Sequence, residues 1–572
     1  MSEPLFQGKP VREWTRFQYD KYRRPGAKPN IVLLFTDEQR YDTVRALGYR
    51  WMKTPALDRL CAEGTAYVNA HSPNPVCIPA RHNLLIGLPA RYHGMHDNIS
   101  RVIPRSIPRL PQILAEAGYY TGAIGKMHFQ PARTAHGFHT MQLMEEIPPC
   151  WYEDDYLAYL RANGYARLRN IHGVRNLLYW QPQRSLVPEK HHGTTWVGDR
   201  SVEFIRANAW RPFFLWAGWI APHPPQDVPG RWAELYRGAD IPEPYAPCEH
   251  PHRILAGCGQ DDPSEAKTRR LRELYYGAIS HVDHNVGQIL DTLDECGLAG
   301  NTLVIFASDH GDMLGDLGGW NKSMPNDPAC RVPLLMRMPG RVRAGERISA
   351  FADLNDILPT ILDAARVPYP ADAGLELPGE SLLAAPGAGH KDRSVQYAEL
   401  QSGYKRWVML RDERWKFVHW YEGREQLFDM VADPQERTDL MLRPLSTEAM
   451  AAGRRLRARL IEHEARWGLE GHVLSGDFAR FDEPPNTWPV EGRGLNWQFQ
   501  THWHALPAAE QERMHTEREE VLAATAREPT VDLAKMNLDY YLSAGGDPSL
   551  AAYVRRGKTQ RARPRKARRR SR

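Results

Sequence analysis

The sequence lacks any run of about 20 consecutive apolar residues, the length that a membrane-spanning helix needs. We therefore expect no membrane partner. The first 27 residues mix charged and aromatic side chains and contain no apolar stretch followed by a small-residue cleavage site. A secretory signal is not predicted, and the cytoplasm is the expected location.

Cysteine is scarce, with seven residues in a chain of 572. The seven are widely separated, odd in number and include no CxxC pair, which argues against a disulfide framework and against a zinc knuckle. Most of them are expected to be buried thiols. Cys77 differs from the others because its neighbours indicate chemistry.

Acidic residues are absent from the last 18 positions, residues 555–572, which hold 11 Lys or Arg. Subtracting these charges from the total of +5 leaves −6 for the rest of the chain, so the basic balance belongs to this tail. Such a run is usually disordered and solvated, and contact with a nucleic acid or another anionic surface is the alternative. We expect no nucleic-acid partner.

The remaining composition, 42% hydrophobic and 25% charged, is that of a globular protein, and the length predicts more than one domain. Apolar runs within 28–39, 212–225 and 301–312 predict buried parallel strands. Amphipathic segments at 107–119 and 269–297 have helical spacing. This alternation predicts an α/β fold with a mostly parallel sheet flanked by helices.

The pattern changes after about residue 385, where short runs between charged turns predict an antiparallel sheet, followed by a helix near 445–467. We therefore divide the chain into five parts. They are an N-terminal arm (1–27), a catalytic domain (28–385), a small C-terminal antiparallel-sheet-plus-helix domain (386–470), an extension (471–554) and the basic tail (555–572). The aromatic residues of the extension are expected to form a homo-oligomer contact, or else to line a pocket for an apolar alcohol.

Polar residues follow the predicted strands at the point where each strand ends. They are Asp37, His223, Asp309 and His310. In open parallel sheets, ligands bind beyond the carboxyl ends of the strands. The sequence therefore predicts a site at this edge.

The segment 73–94 contains Cys77, Pro79 and Arg81 in the order C-x-P-x-R, with a helix-like run beginning near Pro79. Proline suits a first helical position because its missing N–H would be unpaired there. Cys77 would then lie at a helix N-terminus, where backbone N–H groups and the helix dipole favour an anion. Taken alone, the pattern also fits an ordinary cysteine before a helix.

C-x-P-x-R is the signature that a formylglycine-generating enzyme recognises, and with its flanking blocks the chain resembles the sulfatase family of the alkaline phosphatase superfamily. The blocks occur in family order between about residues 28 and 465. They are TDEQRYDT (36–43), GKMH (125–128), APHPP (221–225), SDHGDMLGD (308–316), WNK with RVPLLMRMPG (320–340) and LFDMVADPQERTDL (427–440).

The resemblance implies an alkaline-phosphatase-like mixed, mostly parallel sheet with a smaller C-terminal α+β domain. It also implies that Cys77 is oxidised to formylglycine, with a formylglycine-generating enzyme as the maturation partner. One hydroxyl of the hydrated aldehyde would attack sulfur, and deprotonation of the other would expel sulfate.

The resemblance further implies one divalent metal ion, Ca²⁺ or Mn²⁺, which would offset developing charge. Its ligands would be Asp37, Asp309, His310 and an oxygen of residue 77. Glu38 stands where relatives have Asp, Gln or Asn, and is either a further ligand or a solvent-facing residue.

The remaining catalytic roles also come from the resemblance. Arg81 would hold the ionised hydrate, Lys126 would contact the nucleophile and the sulfate, and His128 would be the base that collapses the intermediate. Lys126 and His128 lie two apart, so on a strand end they would point to the same side.

On the leaving-group side, His223 and Lys322 would contact the sulfate and protonate or stabilise the departing oxygen. Asn98 would reach the ester group, as a similarly placed Asn does in phosphonate monoester hydrolases.

We thus expect an arylsulfatase-like hydrolase of small-molecule sulfate esters. The alternative is a phosphonate monoester or phosphodiester hydrolase, against which GKMH argues because those relatives lack its Lys and His. A binding protein with an inactive core is a third hypothesis, and the intact motif with every metal position filled argues against it.

Overall fold

The computed structural model describes residues 28–482 except 100, 130, 149–152, 167–170, 174–178, 249–263 and 384–392, together with the short strands Leu5–Phe6 and Lys9–Pro10. Most of the predicted N-terminal arm, nearly all of the predicted extension and the whole basic tail lie outside the described residues. Predictions for those parts stay predictions.

An eight-stranded sheet forms the centre of the larger part of the structure. Its strands are β1 (Asn30–Asp37), β2 (Thr65–His71), β3 (Tyr120–Gly125), β4 (Thr140–Leu143), β5 (Phe213–Pro222), β6 (Thr302–Ser308), β7 (Leu334–Arg337) and β8 (Glu346–Asp353). Across the sheet they follow the order β8-β2-β7-β6-β1-β5-β3-β4. Strand β7 is antiparallel to both its neighbours, and the other pairs are parallel, which confirms the predicted mixed, mostly parallel sheet.

Helices connect these strands. They are α1 (Pro55–Glu63), α2 (Cys77–Ile86), α3 (Ala90–His93), α4 (Leu110–Glu116), α5 (Asp155–Leu160), α6 (Gly193–Asn208), α7 (Gly230–Glu234), α8 (Glu265–Glu295), α9 (Asp327–Cys330), α10 (Ile357–Ala365) and α11 (Thr447–Trp467). Short 3₁₀ turns span Arg45–Leu47, Glu189–His191, Ala299–Asn301, Asp316–Gly318, Leu354–Asp356, Ala371–Ala373, Gly403–Lys405 and Leu440–Leu442, and a π turn spans Arg161–Tyr165. Two-residue strands pair Gln183–Arg184 with Asp227–Val228 and Val473–Leu474 with Asp477–Phe478.

Strand β1 contributes to a hydrophobic core on each face of the sheet, because successive side chains of a strand point to opposite faces. Ile31, Leu33 and Phe35 pack in one core with helices α2, α4 and α10. Val32 and Leu34 pack in the other with α1, α6 and α8. All five side chains are fully buried. The predicted arrangement of helices on both faces is confirmed.

The four runs after residue 385 form an antiparallel sheet, as predicted: β9 (Gln396–Leu400), β10 (Trp407–Arg411), β11 (Trp415–Trp420) and β12 (Glu425–Asp429). Helix α11 packs on one face through Leu456 and Leu460. The smaller sheet also supports loops of the larger one. The indole N–H of Trp407 donates to the carbonyl of Ser323 (3.0 Å), and the backbone N–H of Glu399 donates to the carbonyl of Pro73 (2.8 Å).

Among the described residues, no helix combines the length and the apolar character needed to cross a membrane.

Candidate functional site

The predicted site lies at the carboxyl edge of the central sheet. Strand β1 ends at Asp37, and Asp309 directly follows its parallel neighbour β6. Because the two strands pair in register, both carboxylates are brought to one place, and both are completely buried.

Cys77 is the first residue of helix α2, which therefore begins two residues earlier than the sequence predicted. Pro79 occupies the third helical position, where its missing N–H is still harmless because the first four N–H groups have no intrahelical partner. The side-chain oxygen of Asn98 accepts the backbone N–H of Ile78 (3.0 Å). Asn98 thus lies at the same helix end as Cys77.

The Cys77 side chain lies beside two of the predicted metal ligands. Its sulfur is 3.3 Å from Nε2 of His310 and 3.7 Å from Oδ1 of Asp37. Burial, and next the charge of Asp37, raise the pKa of the Cys77 thiol to about 12. An unmodified Cys77 is therefore a thiol at neutral pH, whereas a cysteine nucleophile needs the thiolate.

Arg81 connects the two aspartates. Its Nε donates to Oδ2 of Asp309 (2.9 Å), and its Nη2 lies 3.6 Å from Oδ2 of Asp37. Its Nη1 donates to the carbonyl of Lys126 (2.8 Å). Nη2 is buried without a hydrogen-bond partner among the described residues. One donor of a permanently charged group is therefore available within the site.

These donors fit a divalent cation. Ligand atoms of Asp37, Cys77, Asp309 and His310 all lie within 4.8 Å of one another. Nδ1 of His310 lies 2.9 Å from the carbonyl of Gly311, which can only accept, so Nδ1 carries the proton and Nε2 offers a lone pair. Two carboxylates and an imidazole suit Mn²⁺ and, with further oxygens, Ca²⁺.

Glu38 lies in an adjoining group with Lys322 and His223. The Lys322 ammonium is 2.9 Å from Oε2 of Glu38 and 2.6 Å from Nε2 of His223. Glu38 is completely buried, so the solvent-facing interpretation is wrong. Burial raises the pKa of Glu38 well above its usual range, and its Oε1 has no hydrogen-bond partner among the described residues.

Strand β3 ends at Gly125, so Lys126 and His128 follow the strand, and the alternation expected of a strand does not apply to them. Gly125 (φ +90°) and His128 (φ +57°) both have left-handed backbones, which turn the chain away from the strand. The Lys126 ammonium is fully buried and contacts Oδ2 of Asp37.

His128 is positioned by its backbone, whose N–H donates to Oε1 of Glu145 (3.0 Å). Burial, and next the charge of Lys126, keep the pKa of His128 well below its usual range. The neutral ring is the form that can accept a proton.

Comparison with known proteins decides what this arrangement is. A sequence model described as "Sulfatase" matches residues 29–367. The chain belongs to the sulfatase family. It is a sulfuric ester hydrolase. A second model, described as "N-sulphoglucosamine sulphohydrolase, C-terminal", matches residues 315–465 of this sulfatase.

Individual relatives agree with this assignment. An arylsulfatase of Clostridium perfringens is 31% identical over 445 residues, covering 72% of this sulfatase and 90% of the relative. A choline-sulfatase of Rhizobium meliloti is 29% identical over 501 residues, covering 80% and 94%. The phosphonate monoester hydrolase of Agrobacterium radiobacter shares the fold, with a TM-score of 0.65, 24% identity and coverage of 77% and 96%. The fold is the alkaline-phosphatase-like fold that the resemblance implied.

The sequence did not single out one residue of this sulfatase site, Glu146. Its Oε2 is 2.6 Å from the Lys126 ammonium, and its Oε1 is 3.6 Å from Nε2 of His223. Glu146 follows β4, whose four residues make a strand too short to stand out by periodicity. Had β4 been recognised, the rule that sites lie at strand ends would have indicated this carboxylate.

Proposed function

We propose that this sulfatase hydrolyses small-molecule sulfate esters, aryl esters among them, through a formylglycine made from Cys77. The observation that carries the proposal is the place of Cys77, at the first residue of α2 with its sulfur 3.3 Å from His310. The hydrated aldehyde supplies an oxygen nucleophile and a second hydroxyl whose deprotonation releases sulfate. The arylsulfatase relative supports this substrate class.

One divalent cation, Ca²⁺ or Mn²⁺, would be held by Asp37, Asp309, His310 and an oxygen of residue 77, with Glu38 as a further ligand. When bound, the cation supplies a positive charge that offsets the charge developing on the sulfate oxygens. The close grouping of the buried ligand atoms of Asp37, Cys77, Asp309 and His310 supports those four positions, and a mixed oxygen and nitrogen ligand set is compatible with either ion.

The other residues divide the remaining work. Arg81, whose Nη2 has no hydrogen-bond partner among the described residues, would hold the ionised hydrate of residue 77. Lys126, next to Asp37, contacts the nucleophile and the sulfate. His128 in its neutral form accepts the proton whose removal collapses the intermediate. Asn98, whose side-chain oxygen accepts the backbone N–H of Ile78 at the N-terminus of α2, would reach the ester group.

Lys322 and His223 serve the departing oxygen. Nδ1 of His223 lies 2.6 Å from the carbonyl of Pro224 and so carries the ring proton, which leaves Nε2 to accept a hydrogen bond from Lys322. The Lys322 ammonium thus supplies both a positive charge and a proton beside Nε2 of His223, where it can stabilise or protonate the leaving alcohol.

The second candidate function is hydrolysis of phosphonate monoesters or phosphodiesters on the same scaffold. The structural likeness to a phosphonate monoester hydrolase favours it, although that likeness concerns the fold. The burial of Lys126 against Asp37 favours sulfate, because the GKMH block then lies inside the site. Comparing kcat/KM for an aryl sulfate and an aryl phosphonate monoester on one preparation decides between the two substrate classes.

Peptide mass spectrometry tests the nucleophile. In active enzyme produced together with a formylglycine-generating enzyme, the peptide 71–91 should carry an aldehyde in place of the Cys77 thiol. Cys330 is a matched internal control, since it is equally buried and lies outside the motif, and it should remain a thiol. Fully active enzyme with only unmodified Cys77 would require a different nucleophile.

Assembly, location and domain limits belong to the same proposal. We propose the limits 28–385 and 386–470 for the catalytic and C-terminal domains, a homo-oligomer contact in 471–554, and a cytoplasmic location. Size-exclusion chromatography of a chain ending near residue 470 tests the contact, because an unchanged oligomeric state would contradict it. Cell fractionation tests the location.

A further inference from the structure

We propose that Glu146 makes this site select singly charged esters over doubly charged phosphate monoesters. The inference deepens the proposed function, because it rests on the ester binding beside residue 77. Glu146 would act by its charge on the substrate and would be a specificity-determining residue.

The position of Glu146 is the first part of the argument. One of its carboxylate oxygens lies within 4.8 Å of the Cys77 sulfur, in a group with Asp37 and His223. The residue is buried, with 8% of its surface exposed. An ester that reacts at residue 77 must place its sulfur or phosphorus next to that residue, and therefore a few ångströms from the Glu146 carboxylate.

The second part concerns the two ammonium groups that meet the ester anion. Lys126 is paired with Glu146 at 2.6 Å and also with Asp37, and Lys322 is paired with Glu38 at 2.9 Å. Lys126 is thus already compensated by two buried carboxylates, those of Asp37 and Glu146. An anion that binds next to Lys126 meets much less positive charge than a free ammonium group would offer.

The chemistry of the esters completes the argument. A sulfate monoester carries one negative charge, whereas a phosphate monoester carries nearly two above its second pKa of about 6. Like charges a few ångströms apart in a partly buried site repel strongly. The Glu146 carboxylate therefore repels the doubly charged ester more than the singly charged one, although both are tetrahedral and similar in size.

A role for Glu146 as a metal ligand is the competing interpretation, since its oxygen is near Asp37. The contact with Lys126 does not exclude this role, because Asp37, a proposed ligand, also contacts that ammonium. Metal content distinguishes the two roles, since loss of a ligand lowers metal affinity and loss of a nearby charge does not alter the ligand set.

The test compares Glu146→Gln and Glu146→Ala, both uncharged, with Glu146→Asp, which keeps the charge. Glu153 lies in the same segment as Glu146, between β4 and α5, and is partly exposed. Glu153→Gln removes its carboxylate and serves as the matched control. Each substitution is made in the active enzyme and in a Cys77→Ala background, where ester binding is measured without turnover. The probes are phenyl sulfate and phenyl phosphate for calorimetry, and their nitrophenyl analogues for kcat/KM, at about pH 8, where the phosphate ester is doubly charged.

In either uncharged variant, the preference for sulfate over phosphate ester should fall about tenfold or more in both binding and kcat/KM. Glu146→Asp and Glu153→Gln should keep it within about twofold. An unchanged preference in the uncharged variants, an equal fall in Glu153→Gln, or loss of bound metal from Glu146→Gln by elemental analysis would overturn the proposal. Absence of sulfate-ester turnover by the converted wild type would count against the proposed function alone, because the binding preference is measured separately.

Discussion

Replacing Asp309 with Asn preserves the shape of a buried side chain but not its hydrogen bonding. Oδ1 of Asp309 accepts the backbone N–H groups of Glu38 (3.0 Å) and His310 (2.9 Å), while Oδ2 accepts Nε of Arg81 (2.9 Å). An amide has one oxygen and one NH₂ group, so it cannot accept on both sides. In either orientation, the NH₂ group of the new amide faces another donor, which is either the two backbone N–H groups or Nε–H of Arg81.

The contacts set the size of the effect. Removing one partner of a buried ion pair costs about 3–5 kcal/mol, because the other charge stays buried. Arg81 keeps its bond to the carbonyl of Lys126 (2.8 Å) and its approach to Asp37 (3.6 Å), so part of its charge remains compensated. We expect the lower end of the range, a loss of about 3 kcal/mol in the free energy of unfolding without metal.

Metal adds a second, separable effect. A ligand present at about 100 times its Kd stabilises the folded state that binds it by about 2.7 kcal/mol. Urea unfolding of the wild type should show such a gain when Ca²⁺ or Mn²⁺ replaces a chelator, and Asp309→Asn should show almost none. Chelation should also abolish the activity of the wild type.

Asp283→Asn is the matched control for this experiment. Asp283 is an equally buried aspartate that accepts the backbone N–H groups of Ala56 and Leu57 at the N-terminus of α1. Its replacement should also destabilise the fold, yet leave the gain from metal intact. The reasoning is refuted if Asp309→Asn loses less than about 1 kcal/mol in chelator and still gains as much from metal as the wild type.

Three further predictions concern the tail, the nucleophile and the turn before Lys126. Deleting residues 555–572 should leave kcat/KM for a small aryl sulfate within about twofold, because every residue assigned to the site lies between Asp37 and Lys322. Loss of most activity would place the tail in the site. Cys77→Ser should turn over slowly and accumulate a covalent sulfo-enzyme, which intact-protein mass spectrometry detects. Cys77→Ala should be inactive. Turnover by the serine variant at the wild-type rate would contradict the need for a second hydroxyl. Gly125→Ala should lower both Tm and kcat/KM. At φ +90°, the Cβ of the new alanine would lie 1.9 Å from the carbonyl oxygen of Gly218. An unchanged Tm would show that the turn can relax.

Some boundaries could not be predicted from local pattern. Helix α2 begins at Cys77 because its first N–H groups find partners in the tertiary structure, such as Asn98 for Ile78. The end of β3 at Gly125 depends on its close approach to the carbonyl of Gly218 in the neighbouring strand. Both are contacts between segments distant in sequence, which hydrophobic periodicity does not report.

The sequence by itself determined strands β1, β5 and β6, the smaller antiparallel sheet, the edge of the larger sheet that carries the chemistry, and the family. Buried parallel strands such as 30–37 and 302–308 are continuous apolar runs, and the residues that follow them must meet at one edge. Only the tertiary structure decided which side chains share a hydrogen bond. In the folded chain β7 runs antiparallel to its neighbours, Glu38 pairs with Lys322 inside the site, and Glu146 lies next to Lys126. The local apolar pattern is enough to locate a strand in the chain. The partner of a buried charge depends instead on the order of the strands in the sheet, because a buried charge is stable only where an opposite charge can compensate it.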